Sequence, residues 1–282
     1  MAGQQDTDPQ RDTRRDTHRD TYRDTRRARR IRGAVGPAVF LLAFEALGRA
    51  GIVDRSYLPP ASTVLVRAAT LPGRADFLSA LGATMAAWAV GLTIATVAAT
   101  AAGLLLGSLP GVNAAAAALV EFLRPVPSVA LIPLAGLVLG SGLAMKTSII
   151  VYASIWPVLY NTIYGLGDVD PTARDTLRAF GFGPVHVLWR VSLPSATPFI
   201  ATGIRLASAV ALILTISTEM LTGVGTGLGV YIESASTAAG NADVVLACAV
   251  WAGVLGLVIN TVFVAAERRI FRWHHARIER SA

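Results

Sequence analysis

Residues 168–198 read DVDPTARDTLRAFGFGPVHVLWRVSLPSATP, the longest polar-leaning interruption in a chain otherwise dominated by apolar runs. Asp170-Pro171 is a helix start, with Asp as N-cap and Pro at the first helical position, where its missing N–H costs nothing. A short helix is expected from Thr172 to Phe180, ended by Gly181 and Gly183. After Val191, Leu193 and Pro194 a fresh apolar run begins at Phe199. A capped helix this short cannot cross a bilayer. Set between two apolar spans, it presents a surface to something on one side of the membrane.

Composition supports the membrane setting. Hydrophobic residues make up 53% of the chain and charged residues only 15%, with a mean hydropathy of +0.54. A soluble domain averages about 25% charged residues. The net charge of +7 and pI of about 10.3 do not point to nucleic acid, because the arginines sit in the tails and one central loop without interleaved aromatics. The single cysteine, Cys248, lies in an apolar run, permits no internal disulfide and reads as a small packing residue.

The expected organisation is all-α: an arm over 1–33, a membrane domain over 34–266 and a basic tail over 267–282. The arm repeats Arg-Asp-Thr at 11–13, 15–17, 19–21 and 23–25. It offers nothing apolar to bury, so disorder is expected, with contact to anionic headgroups as the sharper alternative. Six spans are expected, over 34–50, 77–109, 114–140, 143–165, 199–221 and 242–265. The third contains Glu121, Arg124, Pro125, Pro127 and Pro133 and must be a broken helix whose freed carbonyls face protein or a wet cavity. A tight turn is expected at 110–113, a kink at Trp156-Pro157, and a flexible turn where glycines stand at 223, 225, 227 and 229.

Charge orients this arrangement. With a cytoplasmic N-terminus, the central loop and the C-terminus share that side. The arm holds ten Arg, the loop Arg174, Arg178 and Arg190, and the tail Arg268, Arg269, Arg272, Arg277 and Arg280. The opposite side receives Arg49, Arg55, Arg67, Arg74 and Lys146. Eighteen against five satisfies the positive-inside rule.

The central loop also carries a family resemblance. Asp175-Thr176-Leu177, then Gly181, nine residues, and Val191-Ser192-Leu193-Pro194 resemble the EAA signature of ABC importer permeases, which is Glu-Ala-Ala, a Gly, nine variable residues and Ile-x-Leu-Pro. Asp for Glu, Thr-Leu for Ala-Ala and Val for Ile are departures; the spacing fits. Arg124-Pro125-Val126-Pro127 with Ile132-Pro133-Leu134, Tyr160-Asn161-Thr162 with Gly165-Leu166, and Thr218-Glu219-Met220-Leu221 with Gly227-Leu228-Gly229 resemble the nitrate/sulfonate/taurine branch, over roughly residues 35–272.

This resemblance implies a type I ABC importer permease, MetI-like in fold, in the plasma membrane of a prokaryote with both termini cytoplasmic. The loop over 168–198 would be the coupling helix that docks on a separate ATPase subunit through Asp175, Thr176, Leu177, Arg178, Gly181, Val191, Leu193 and Pro194. The implied partners are that ATPase, an extracytoplasmic substrate-binding protein and a second permease copy, all in the lipid bilayer. The cargo would be a small anion such as an aliphatic sulfonate, taurine or nitrate. A vitamin or pyrimidine precursor is the alternative within the family, and an ATP-independent channel or secondary transporter is the alternative outside it.

Within the spans, Arg124, Pro127, Asn161 and Glu219 are the pathway or gate candidates. An ionisable group there costs about 2.5–3.5 kcal/mol on insertion scales and so faces the bundle or water. Arg124 reads either as lining the route or as paired with Glu121. Arg205 reads as snorkelling to the near surface rather than touching substrate. Glu219 reads as a gate residue or an interfacial one. No cofactor and no metal are expected: adjacent His274 and His275 lack the spacing of a helical metal pair. Residues 140–147 nearly mimic a P-loop, but Met145 replaces its second glycine, so nucleotide hydrolysis is assigned to the separate subunit. Neither a Ser-His-Asp set nor a carboxylate pair suggests an enzyme.

Overall fold

A computed structural model describes residues 35–237 and 240–271. The arm over 1–33, residues 272–282 and His274 with His275 fall outside the described residues. All regular structure among the described residues is helical.

Two compact units are present, one through Val66 and one from Arg67 onward. In the first, a helix over residues 35–49 (α1) meets the start of α2 (Ala61–Thr70). A Cβ on Gly48 would lie 2.8 Å from Pro60 Cα, and Glu45 accepts the Ser62 backbone N–H at 2.8 Å and its hydroxyl at 3.0 Å.

The second unit holds four helices long and apolar enough to cross a membrane: α3 (Ala75–Ser108), α6 (Leu143–Gly167), a helical run over Pro184–Thr222, and α11 (Ala242–Ile270). A bent pair, residues 111–123 and 128–139, broken at 81°, is apolar and long enough to make a fifth when the two pieces are taken together. It comprises α4 (Pro110–Leu123), a 3-10 turn over Ser128–Leu131 and α5 (Ile132–Leu139). The broken helix expected from its prolines is therefore present. The first expected span, over 34–50, falls on α1, which at 35–49 is shorter than the four helices above; its lead-in lies outside the described residues.

The centre of this unit is α6, held between α3 and α9 (Leu193–Thr222) by small residues on all three helices. Cβ atoms at Gly91, Gly103 and Gly107 would collide with Ile150, Thr162 and Leu166 of α6. A Cβ at Gly203 would sit 2.9 Å from both the Pro157 carbonyl and Asn161 Cβ, and one at Gly165 2.8 Å from Phe199 Cβ. Lipid provides no hydrophobic drive between helices, so close backbone approach is what binds them. Leu92, Leu106, Ile150, Val158, Leu159 and Ala211 form the core between them. The Trp88 indole N–H adds a bond to the Ser208 carbonyl at 2.9 Å.

Three local expectations are corrected. Pro110 does not open a tight turn but starts α4, because a proline at the first helical position loses no bond. The fifth span begins well before Phe199: α8 (Pro184–Val187), a π turn over Leu188–Ser192 and α9 run on continuously. Pro194 removes an N–H and clashes with the turn behind it, and the π turn, with Leu193 N–H reaching Leu188 O, absorbs that clash without breaking the helix. The glycine segment is not wholly a flexible turn. It ends in α10 (Leu228–Ser236), which packs on α9 and α3.

Candidate functional site

The loop stretch folds as its residues dictate. Asp170 caps α7 (Pro171–Ala179) by accepting the Thr172 N–H at 2.8 Å, with Pro171 at the first position. Gly181 takes φ +82°. Its N–H bonds Arg178 O at 2.9 Å while Phe182 N–H bonds Leu177 O at 3.1 Å. This paired closure is a Schellman motif, which needs the left-handed residue that Gly provides cheaply.

The motif's two halves have different surroundings. Asp175, Thr176, Arg178 and Phe180 are exposed, with Phe180 at 77%. Asp175 and Arg178 pair at 3.3 Å. Val191 and Leu193 are half-buried, Ser192 is buried, and Leu193 packs against the Leu166, Ala196 and Ile200 cluster. An Arg174 guanidinium N–H donates to Leu166 O and ties α7 to the end of α6. Between these parts lies an open groove of about 530 Å³, lined by Leu105, Leu109, Leu166, Arg174, Arg178 and Leu188. One half of the motif thus presents polar side chains, and the other anchors them to the base of a membrane span.

The four pathway candidates do not converge. Glu219 is fully buried at the opposite end of α9 from α7. One carboxylate oxygen accepts the Thr84 hydroxyl at 2.8 Å and the Gly229 N–H at 3.0 Å; the other lies 3.5 Å from Lys146 Nζ. Thr84 Oγ1 in turn accepts the Leu228 N–H at 2.7 Å. The N-cap of α10 is Gly227, which has no side chain to satisfy the orphan donors of the first turn. Remote residues on α3 and α9 do so instead, and they place negative charge at the positive end of that helix. Glu219 is therefore buried rather than interfacial. It is the centre of a clasp across α3, α6, α9 and α10.

Asn161 is turned toward α9, its amide donating to the Pro157 carbonyl at 2.7 Å. Pro127 is exposed at the break of the bent span. Arg124 forms no ion pair with Glu121; its guanidinium carbon lies 4.6 Å from the Tyr160 ring centroid. Arg205 does not simply snorkel, since Glu267 of α11 stands 3.3 Å away. Lys146 and Thr84 are the site residues that the sequence reading missed. The available signal was a lysine three residues into an apolar span, where a free charge is costly.

A bundle of membrane-length apolar helices with a short capped helix anchored beneath one of the longest defines an all-α polytopic membrane protein. The protein-family comparison carries this further. Residues 95–272 match the family of binding-protein-dependent transport system inner membrane components, and the chain belongs to that family. It is 27% identical over 253 residues to the taurine transport system permease protein of Escherichia coli, covering 88% of this chain and 91% of that one. It is 29% identical over 181 residues to a nitrate import permease protein of Leptolyngbya laminosa, covering 64% of each. To a bicarbonate transport system permease protein of Synechocystis it is 27% identical over 249 residues, covering 82% of this chain and 87% of the relative. These relatives are transport permeases rather than enzymes.

Proposed function

We propose that two copies of this chain form the translocation route of an ATP-driven importer for a small anion, with taurine, nitrate and bicarbonate as the cargo classes that its relatives' names suggest. The observation that carries this reading is mechanical. α7 presents an exposed face and itself packs against α8 and the π turn, the start of a helical run that continues unbroken from Pro184 to Thr222. A push on α7 by an ATPase subunit is thereby delivered to α9, and from there to α6, against which α9 packs most extensively. Interdigitated interfaces of this kind have discrete alternative packings, which suits alternating access.

The charge distribution of eighteen arginines against five basic residues supports a cytoplasmic side for both termini and α7. There α7 meets the ATPase through Asp175, Thr176, Leu177, Arg178 and Gly181. The clasp around Glu219 then faces the extracytoplasmic binding protein. In this division of labour nucleotide chemistry belongs to the partner subunit.

The test is reconstitution. The chain is co-expressed with the ATPase encoded beside it, placed in proteoliposomes and supplied with its binding protein. Uptake of radiolabelled taurine, nitrate or bicarbonate should require ATP and all three components. Uptake by the isolated chain without ATPase would overturn the reading and favour a channel or secondary transporter.

A further inference from the structure

The spans of the second unit carry few charges, and nearly all the cations among them are matched. Lys146 faces Glu219 at 3.5 Å and Arg205 faces Glu267 at 3.3 Å. Arg124 differs. Among the described residues no carboxylate lies within 4.0 Å of it, and it is exposed on this chain. It sits at the end of α4, at the break of the bent span, roughly 20 Å from the start of that helix at 1.5 Å per residue. Within a membrane segment an exposed, unmatched guanidinium cannot face hydrocarbon without the penalty that intramembrane charges carry.

The wall beneath it is aromatic. Tyr152, Trp156, Tyr160 and Tyr164 recur every four residues along α6 and so share one stripe of it; the first three are half-buried and Tyr164 is exposed. Tyr152 donates its hydroxyl to Leu123 O at 2.7 Å, satisfying a carbonyl at the helix break, and stacks edge-on with Trp156 at 5.8 Å. Tyr160 supports the guanidinium from below. The ring holds the side chain in place without neutralising it, so the donor fork stays available.

We propose that Arg124, held on Tyr160, is an anion-contacting residue of the translocation route, and that the aromatic row on α6 forms the wall along which the cargo passes. The chemistry it suits is a planar or tripodal oxyanion, such as a sulfonate, nitrate or carbonate, whose oxygens match the guanidinium fork. The proposal rests on the anion-import reading above and adds the residue that touches the cargo.

The test uses the reconstituted complex and the same labelled anions, with Cys248→Ala as background. Arg124→Gln should assemble with normal complex yield yet import about 10–100-fold more slowly, the loss expected for one charge-assisted contact. Arg124→Lys should retain part of the uptake. Arg124→Cys should regain uptake after modification with 2-aminoethyl methanethiosulfonate, which restores a cation, and not with the sulfonatoethyl reagent, which adds an anion. A merely structural role would not distinguish those two reagents. If the background protein imports none of the anions, the anion-import reading fails and takes this proposal with it. If it imports one and Arg124→Gln imports it at full rate, only this proposal fails. Loss of complex yield in both Arg124→Gln and Arg124→Lys would make Arg124 a structural residue and overturn the proposal equally.

Discussion

Thr84 and Glu219 are separated by 135 residues of chain, yet the hydroxyl of one donates to the carboxylate of the other at 2.8 Å, and both are fully buried. Lys146 completes the arrangement from α6. Truncating one partner of a buried ion pair costs about 3–5 kcal/mol, mostly through the charge left behind. Glu219→Ala should therefore lower the melting temperature of the detergent-solubilised protein sharply. Glu219→Gln keeps an acceptor for Thr84 and for the Gly229 N–H but strands the lysine, and should fall between. Adding Lys146→Met to Glu219→Gln should recover stability. A thermal-shift series in which the double variant is no better than Glu219→Gln alone would contradict the pairing.

Much of the architecture can be read from the sequence because it depends on neighbours in the chain. The Asp170 cap, Pro171 and the left-handed Gly181 are local, and so are the apolar runs and the prolines that break the third span. The clasp is not. Glu219 looks interfacial until Thr84 and Lys146 arrive from other helices, and no periodicity announces a hydrogen bond across 135 residues. The same limit explains Arg205, whose partner Glu267 lies near the end of α11. The glycines at 223–229 mislead for a different reason. Gly223 at φ +59° and Gly225 at φ +85° do turn the chain, but Gly227 and Gly229 are small to allow close packing against Glu219 and Ile216.

That difference yields a second prediction. A Cβ on Gly229 would collide with the Ile216 carbonyl and lie 2.6 Å from Glu219 Cβ, and one on Gly227 would run into the Glu219 carboxylate. Gly82, in the middle of a helical turn of α3, has nothing within 4 Å of its added methyl. Gly229→Ala and Gly227→Ala should reduce the yield of folded protein, whereas Gly82→Ala should be neutral or gain up to about 1 kcal/mol from helix propensity. Size-exclusion profiles and melting curves of the three variants make the comparison. Equal behaviour of all three would remove the close packing from the account.

Topology supplies the third. In the Cys248→Ala background, single cysteines at Ser56 and Ser195, both exposed on the chain, should react from opposite sides of the membrane. A membrane-impermeant maleimide added to spheroplasts should label position 56 and spare position 195 until the cells are lysed. Labelling of both in intact spheroplasts would overturn the cytoplasmic placement of α7.

The most direct measurement concerns α7 itself. Gly181 at φ +82° closes that helix, and a β-branched residue there pays about 1–2 kcal/mol for the left-handed conformation. Gly181→Val should therefore distort the end of α7. Asp175→Arg removes only an exposed ion pair with Arg178, worth about 0–1 kcal/mol, and reverses a charge on the presented face. Neither change touches the core between α3, α6 and α9, so membrane abundance should stay near normal. The measurement is the yield of ATPase subunit copurifying with each variant, taken together with ATP-driven uptake in proteoliposomes. The account predicts that one or both readouts fall severely while the permease itself accumulates as before. Full ATPase recovery and full uptake in both variants would contradict coupling through α7.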